Sequence, residues 1–263
     1  MRRLRKSLFL GPVLVLSLTA GACGTTRTPP PATGQSSSGP AAETPHPGPT
    51  KSWPARPSPS ASPRTLVLGM HGPDVAQLQV RLTALHYYPG PPDGRFGQNT
   101  LEALWAFQAV QGLPVTGTAG PATREALRLP RQPTALVPAG GNLRVEIDLS
   151  RQILVLYRSG QVTLISHISS GGGYYYCSPS GCGYAVTPTG DFRTTVFMPG
   201  WVTVPLGEMY DPVFFIGTSY AIHGSPSVPL QPVSHGCVRI PMIVAGFFHS
   251  LVPVPGTPVY IRR

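Results

Sequence analysis

Charge is scarce in this 263-residue chain: charged residues make up 11%, with 20 Lys and Arg against 10 Asp and Glu. No acidic residue follows Asp211, so a carboxylate near in sequence cannot orient chemistry carried by the C-terminal stretch. Cysteine occurs four times, at Cys23, Cys177, Cys182 and Cys237, and never as a Cys-x-x-Cys pair, which makes a poor zinc set. No metal, nucleotide or phosphate-loop signature is present, and no cofactor is invoked. The basic residues are scattered, without a cluster interleaved with aromatics, which argues against nucleic acid. The apolar run Leu8 to Leu18 is too short and too early for an ordinary spanning helix. What is abundant is Gly (30) and Pro (33), which points to stretches that do not fold beside others that do. The formal charge of +10 falls to +6 without the four residues Arg2, Arg3, Arg5 and Lys6, a modest excess that suits an anionic polymer or a membrane surface.

In order, residues 1–22 have a basic start, the apolar run, and Ala20-Gly21-Ala22 before Cys23, the pattern of a secretory signal. Leu18 to Cys23 resembles the lipobox of bacterial lipoproteins, which implies lipidation of Cys23; ordinary signal peptidase cleavage would serve the same small residues. Residues 24–64 hold eleven prolines and no Val, Leu, Ile, Met, Phe or Tyr, so they cannot form a core. With Cys23, this 23–64 stretch reads as a disordered tether of extended, polyproline-like character, or as an unselected leader.

Residues 65–129 contain a short repeat. Asp93 to Leu104 is echoed by Thr116 to Leu127, with Gly94, Gly97, Thr100, Glu102, Ala103 and Leu104 matching Gly117, Gly120, Thr123, Glu125, Ala126 and Leu127. In each copy a Gly-marked turn feeds a helix, and Val75, Leu78, Leu82 and Leu85 lie at helical spacing upstream. Three short helices on one core are expected. Gly72-Pro73-Asp74-Val75, Leu78-Gln79, Asp93 to Gly97, Thr100, Phe107-Gln108 and Gly112-Leu113 together resemble the peptidoglycan-binding domain type 1 family. The resemblance implies an all-α module that holds wall polymer near an attached enzyme, or a spacer that has lost binding.

Residues 130–141, with Pro130, Pro133, Pro138 and Gly140-Gly141, read as an interdomain linker. The segment 142–263 is strand-rich. Leu143 to Leu149 alternates apolar with Arg144, Glu146 and Asp148, predicting one core face and one polar face. Gln152 to Tyr157 and Val162 to Ile168 form a hairpin pattern around Ser159-Gly160; further strands are expected at Asp191 to Met198, Trp201 to Val204, Val213 to Ile222 and Val259 to Ile261, and a helix at Met242 to Leu251. The class is a mainly-β sandwich or barrel. Ser170 to Gly183, rich in Gly and Tyr, reads as a surface loop bordering a cleft; in an exported chain Cys177 and Cys182 within it are expected to form a disulfide.

The chemistry gathers at Ser234-His235-Gly236-Cys237-Val238-Arg239 and at His223, fourteen positions before Cys237. A thiol attacks a carbonyl as thiolate, and a histidine in reach takes its proton. Glycine before the cysteine lets the backbone approach a substrate, where N–H groups can face an oxyanion. With Cys23 at an anchor position and Cys177 paired to Cys182, Cys237 is the thiol left free.

His223-Gly224-Ser225, Ser234 to Arg239, Thr187-Pro188-Thr189-Gly190 and the opening strands resemble the YkuD-type L,D-transpeptidase catalytic domain. That implies Cys237 as nucleophile and His223 as base, oriented by the Gly224 carbonyl. His235 would assist binding or the oxyanion site, with Ser234, Gly236 and Cys237 around it; Arg239 would be structural or contact a stem-peptide carboxylate. The implied reaction is thioester formation at the third residue of a tetrapeptide stem with release of D-alanine, then 3-to-3 cross-linking by an amine. Resolution by water would make an L,D-carboxypeptidase, and a silent domain would leave a wall-binding lipoprotein. The implied partner is peptidoglycan, and the implied place is the cell envelope, at the outer face of the cytoplasmic membrane through an N-terminal lipid, reaching into the cell wall.

Overall fold

The protein is described from a computed structural model covering residues 64–179 and 181–263. The signal-like stretch, Cys23 and the Pro-rich segment up to residue 63 lie outside the described residues. No described helix is long and apolar enough to cross a membrane.

The N-terminal part is a three-helix module: α1 (Pro73–Ala84), α2 (Gln98–Gln111) and α3 (Pro121–Arg128). Proline opens α1 and α3, where a missing N–H costs no helical bond, and left-handed Gly112 closes α2. The sequence repeat has a physical basis in two buried glutamines. Gln79 Nε2 donates to Asp93 Oδ1, the Arg95 carbonyl and Thr100 Oγ1, while its Oε1 accepts from Gly94 N–H. Gln108 does the same one copy later, with Thr116 Oγ1, the Thr118 carbonyl, Thr123 Oγ1 and Gly117 N–H. Each buried amide is thereby satisfied by the turn that it holds.

The second part is built on a five-stranded sheet in the order β3-β2-β1-β11-β6, from β1 (Arg144–Asp148), β2 (Ile153–Arg158), β3 (Gln161–His167), β6 (Gly190–Arg193) and β11 (Pro258–Arg262). A four-stranded sheet runs β10-β9-β8-β7, from β7 (Trp201–Val204), β8 (Gly207–Ile216), β9 (Tyr220–Ser225) and β10 (Val238–Pro241). Helix α4 (Met242–Leu251) follows β10. The inner core joins Val145, Ile147, Leu154 and Leu156 to Val213, Phe215, Ile222, Val238, Ile240 and Phe248. The architecture is therefore a helical module followed by a mainly-β domain.

Strand β2 explains how the parts adhere. Leu154 and Leu156 face the inter-sheet core, while Ile153, Val155 and Tyr157 share a core with Phe96, Leu104 and Phe107 of the module. A continuous apolar run fits a strand buried on both faces. Tyr87 extends the contact by bridging to Ile165 at the β3 edge.

Several sequence expectations change. The polar residues of β1 are not at a wet face: Arg144, Glu146 and Asp148 are all buried. The end of segment 130–141 lies against Arg144 and Glu146 as a strap, with the N–H groups of Leu136 and Val137 donating to Glu146, Arg144 donating to the Gly141 carbonyl and Tyr260 Oη donating to the Gly140 carbonyl, while Asp148 accepts from Arg151. Arg144 pairs with Glu146 at 2.6 Å and stacks over Tyr157 at 3.6 Å from the ring centre. The run Val213 to Ile222 is not one strand, because left-handed Gly217 turns it into the β8–β9 hairpin. The run Asp191 to Met198 changes sheets at Thr194: β6 ends at Arg193, and Thr195 and Val196 pair with Phe214. The Gly- and Tyr-rich stretch contains a hairpin, β4 (Tyr175–Ser178) and β5 (Gly181–Tyr184).

Candidate active site

Strands β9 and β10 run parallel, Val238 opposite Ile222 and Arg239 opposite His223. Cys237, just before β10, therefore lies beside Ala221, whose N–H meets Sγ at 3.5 Å. The thiol points toward the Ser219 carbonyl at 3.9 Å. The β8–β9 turn and the start of β9 thus supply these two partners of the sulfur. A cavity of about 440 Å³ is lined by Cys237, His223, Ser234, His235 and Arg239, together with Tyr176, Met209 and Tyr220. A larger concavity, about 850 Å³, lies on the helical module around Ala76, Gly94 and Phe96. It holds no nucleophile, so the smaller cavity is the one equipped for catalysis.

His223 is buried, and its Nδ1 lies 3.0 Å from the Gly224 carbonyl. A carbonyl only accepts, so Nδ1 carries the proton and Nε2 of the neutral ring holds the lone pair. Burial disfavours the imidazolium and lowers its pKa to about 4; the Gly224 carbonyl opposes this and the Arg239 charge reinforces it. Burial likewise pushes the Cys237 thiol up, against smaller lowering effects of Ala221 N–H and Arg239. Burial thus favours the neutral form of both groups.

The motif loop is held from below. Ser234 Oγ donates to the Cys237 carbonyl at 2.5 Å and accepts from Gly236 N–H at 3.0 Å. Thr187 Oγ1 donates to the Gly236 carbonyl at 2.7 Å and accepts from Gly171 N–H at 2.9 Å. Gly236 has φ +140°, and a Cβ there would sit 2.7 Å from the Tyr220 ring and 3.0 Å from the Val186 carbonyl oxygen. A Cβ at Gly224 would meet that of Ala245 at 2.7 Å. Both glycines act beneath the cavity, whereas His223, Ser234, His235, Cys237 and Arg239 line it.

His235 is gripped by aromatic edges, Tyr174 at 5.6 Å and Tyr176 at 4.8 Å between ring centres. Tyr176 lies in β4 and Tyr174 just before it, in the β4–β5 hairpin where Cys177 faces Cys182 and the two are joined by a disulfide. Among the described cysteines Cys237 is free. No described group of three or more His, Cys, Asp or Glu could hold a metal ion. In the sequence Thr187 stands only as part of a motif and Tyr174 and Tyr176 have no assigned role; Gly236 lies 49 residues beyond Thr187, His235 lies still farther from the two tyrosines, and no local pattern announces such contacts.

Comparison with known proteins agrees with this architecture. Residues 71–127 match the peptidoglycan binding domain family and residues 142–261 the L,D-transpeptidase catalytic domain family. The crystal structure of residues 123–326 of an L,D-transpeptidase from Xylanimonas cellulosilytica is 38% identical, covers 76% of this chain and 98% of its own, and superposes with a TM-score of 0.71. The chain belongs to the L,D-transpeptidase family. It is an enzyme of that family, with a module of the peptidoglycan-binding domain family ahead of the catalytic domain. Two curated relatives match over shorter stretches: the N-acetylmuramoyl-L-alanine amidase CwlM of Mycobacterium tuberculosis, 45% identical over 58 residues, and a spore cortex-lytic enzyme of Bacillus cereus, 48% over 59. These stretches are 22% of this chain and only 14% and 23% of those proteins.

Proposed function

We propose that the enzyme forms 3-to-3 cross-links between peptidoglycan stem peptides through a Cys237 thioester. The observation that carries this is one cavity lined both by Cys237, just before β10, and by His223 on the adjacent β9, the imidazole fixed by Gly224 with Nε2 as its basic nitrogen. In the first half-reaction Nε2 takes the thiol proton as sulfur attacks the carbonyl of the third stem residue. Collapse of the tetrahedral intermediate breaks the peptide bond, and the same proton goes to the departing amine of D-alanine. In the second, an acceptor amine gives its proton to Nε2, attacks the thioester, and the thiolate leaves to be reprotonated. Because Gly236 N–H is engaged by Ser234, the oxyanion falls to the N–H of Cys237 and its neighbours. His235 and Arg239 face the same cavity and are read as substrate contacts.

Incubation with disaccharide tetrapeptides should release D-alanine and yield a cross-linked dimer by mass spectrometry, both abolished in Cys237→Ala. D-alanine release without dimer would assign the L,D-carboxypeptidase reaction; no product from protein with a titratable Cys237 thiol would end this reading. In the same reading residues 1–22 export the chain and Cys23 carries a lipid that holds it at the outer face of the membrane. Absence of palmitate label, with mature protein in the medium, would remove the anchor.

A further inference from the structure

The two copies within the helical module differ at one telling place. Three residues before each buried glutamine, on the same helix face, stands Ala76 in the first copy and Trp105 in the second. Beside Ala76 the 850 Å³ groove is open. In the second copy the corresponding place is filled: a Cβ at Gly117 would lie 2.8 Å from Trp105 Nε1, while one at Gly94 would lie 3.8 Å from the Ala76 Cβ. The indole also meets the His167 ring edge to face at 5.2 Å. His167 ends β3, is 2% exposed, and its Nε2 reaches the Pro229 carbonyl at 3.1 Å. That carbonyl accepts, so Nε2 donates.

The residues after His167 continue the support. Ser169 Oγ donates to the Gln231 carbonyl and accepts from Val233 N–H, and Ser234 N–H donates to the Ser170 carbonyl. Residues 226–236, which connect the strand of His223 to Cys237, therefore rest on residues 167–170. The other side of that support is Trp105.

We propose that His167 is a positioning residue for the loop that presents Cys237, and that Trp105 buttresses it, so the second repeat of the wall-binding module is a working part of the catalytic site. The first repeat keeps its groove for a ligand; the second has exchanged its groove for a dock. The inference rests on the reading of Cys237 as nucleophile. Displacing a reacting group by about 1 Å can cost on the order of a hundredfold in rate.

The test uses the full chain and three variants: His167→Leu, which removes the donor to Pro229; His167→Gln, which keeps one; and Trp105→Ala. kcat and KM are measured on a soluble tetrapeptide, and the rate of Cys237 alkylation by iodoacetamide is measured without any peptide. His167→Leu and Trp105→Ala are expected to lose about tenfold to a hundredfold in kcat, with KM within about twofold and an altered alkylation rate. His167→Gln should recover to within about threefold of wild type. Wild-type kcat and alkylation in cooperatively melting His167→Leu or Trp105→Ala would overturn the proposal. So would a His167→Gln enzyme as impaired as His167→Leu. Should His167→Leu not fold, the other two variants decide. If wild type releases no D-alanine, the proposed reaction fails, and the alkylation rates still judge the loop.

Discussion

A pH titration separates a His223 base held far below its ordinary range from an imidazole that titrates at its ordinary value. Burial of His223 and the like charge of Arg239 hold its pKa at about 4. At pH 5 about nine-tenths of a group with that pKa is the neutral base, whereas an imidazole at its ordinary 6.5 would be about 3% neutral, a difference of roughly thirtyfold. kcat/KM for tetrapeptide, which reports the free enzyme, should therefore stay level from about pH 7 down to pH 5 and fall only near pH 4. The assay is D-alanine release at substrate well below KM, with near-ultraviolet circular dichroism followed in parallel. The parallel signal is needed because a depressed histidine pKa contributes stability that is complete above 6.5 and is lost as pH falls toward 4. An acid limb at pH 6 to 7 in protein that remains folded would refute the reasoning, because it would place His223 at its ordinary value in spite of its burial.

Thr187→Val, close in shape, strands the Gly236 carbonyl and the Gly171 N–H, each worth about 1–3 kcal/mol when buried without a partner. A urea-measured loss of about 2–5 kcal/mol with reduced turnover is expected, and a loss below about 1 would contradict it. Glu146→Ala leaves Arg144 buried and unpaired and frees the strap, so about 3–5 kcal/mol should disappear, read by denaturant midpoint. Burial raises Glu102 to about 7, opposed only by its bond from Gln98. Its contribution to stability is complete below 4.5 and is lost as pH rises through 7, amounting to about 3 kcal/mol; Glu102→Gln should therefore gain on wild type over that interval, in melts at pH 4.5 and 8.

The helices, the mainly-β class and the compact cysteine motif could be read from the sequence because each rests on local periodicity or spacing. The rest depends on contacts far apart in the chain. The polar face of Arg144, Glu146 and Asp148 is buried, Arg144 and Glu146 by a strap that reads as a linker in the sequence, which local alternation does not foretell. Val213 to Ile222 carries strand-forming residues throughout, and only Gly217-Thr218-Ser219 hints at the turn that brings the Ala221 N–H under the sulfur. Ile153 to Tyr157 was visible as a strand, but its second apolar face makes sense only once the module covers it. The repeat was visible as matched glycines and threonines, yet the two glutamines that explain it lie outside the matched blocks.

The strap also sets how the molecule bears load. The chain passes from the module through Gly140 into β1 at Arg144, and it ends just beyond β11, which runs parallel to β1 with Val145 opposite Val259 and Asp148 opposite Arg262. Tension entering at the strap and leaving at Arg263 would pull these neighbours past one another lengthwise. Every hydrogen bond of the ladder then shares the force at once, instead of parting one after another as in a peeled hairpin. Pulled between Gly140 and Arg262, the domain is thus loaded along its stiffest direction.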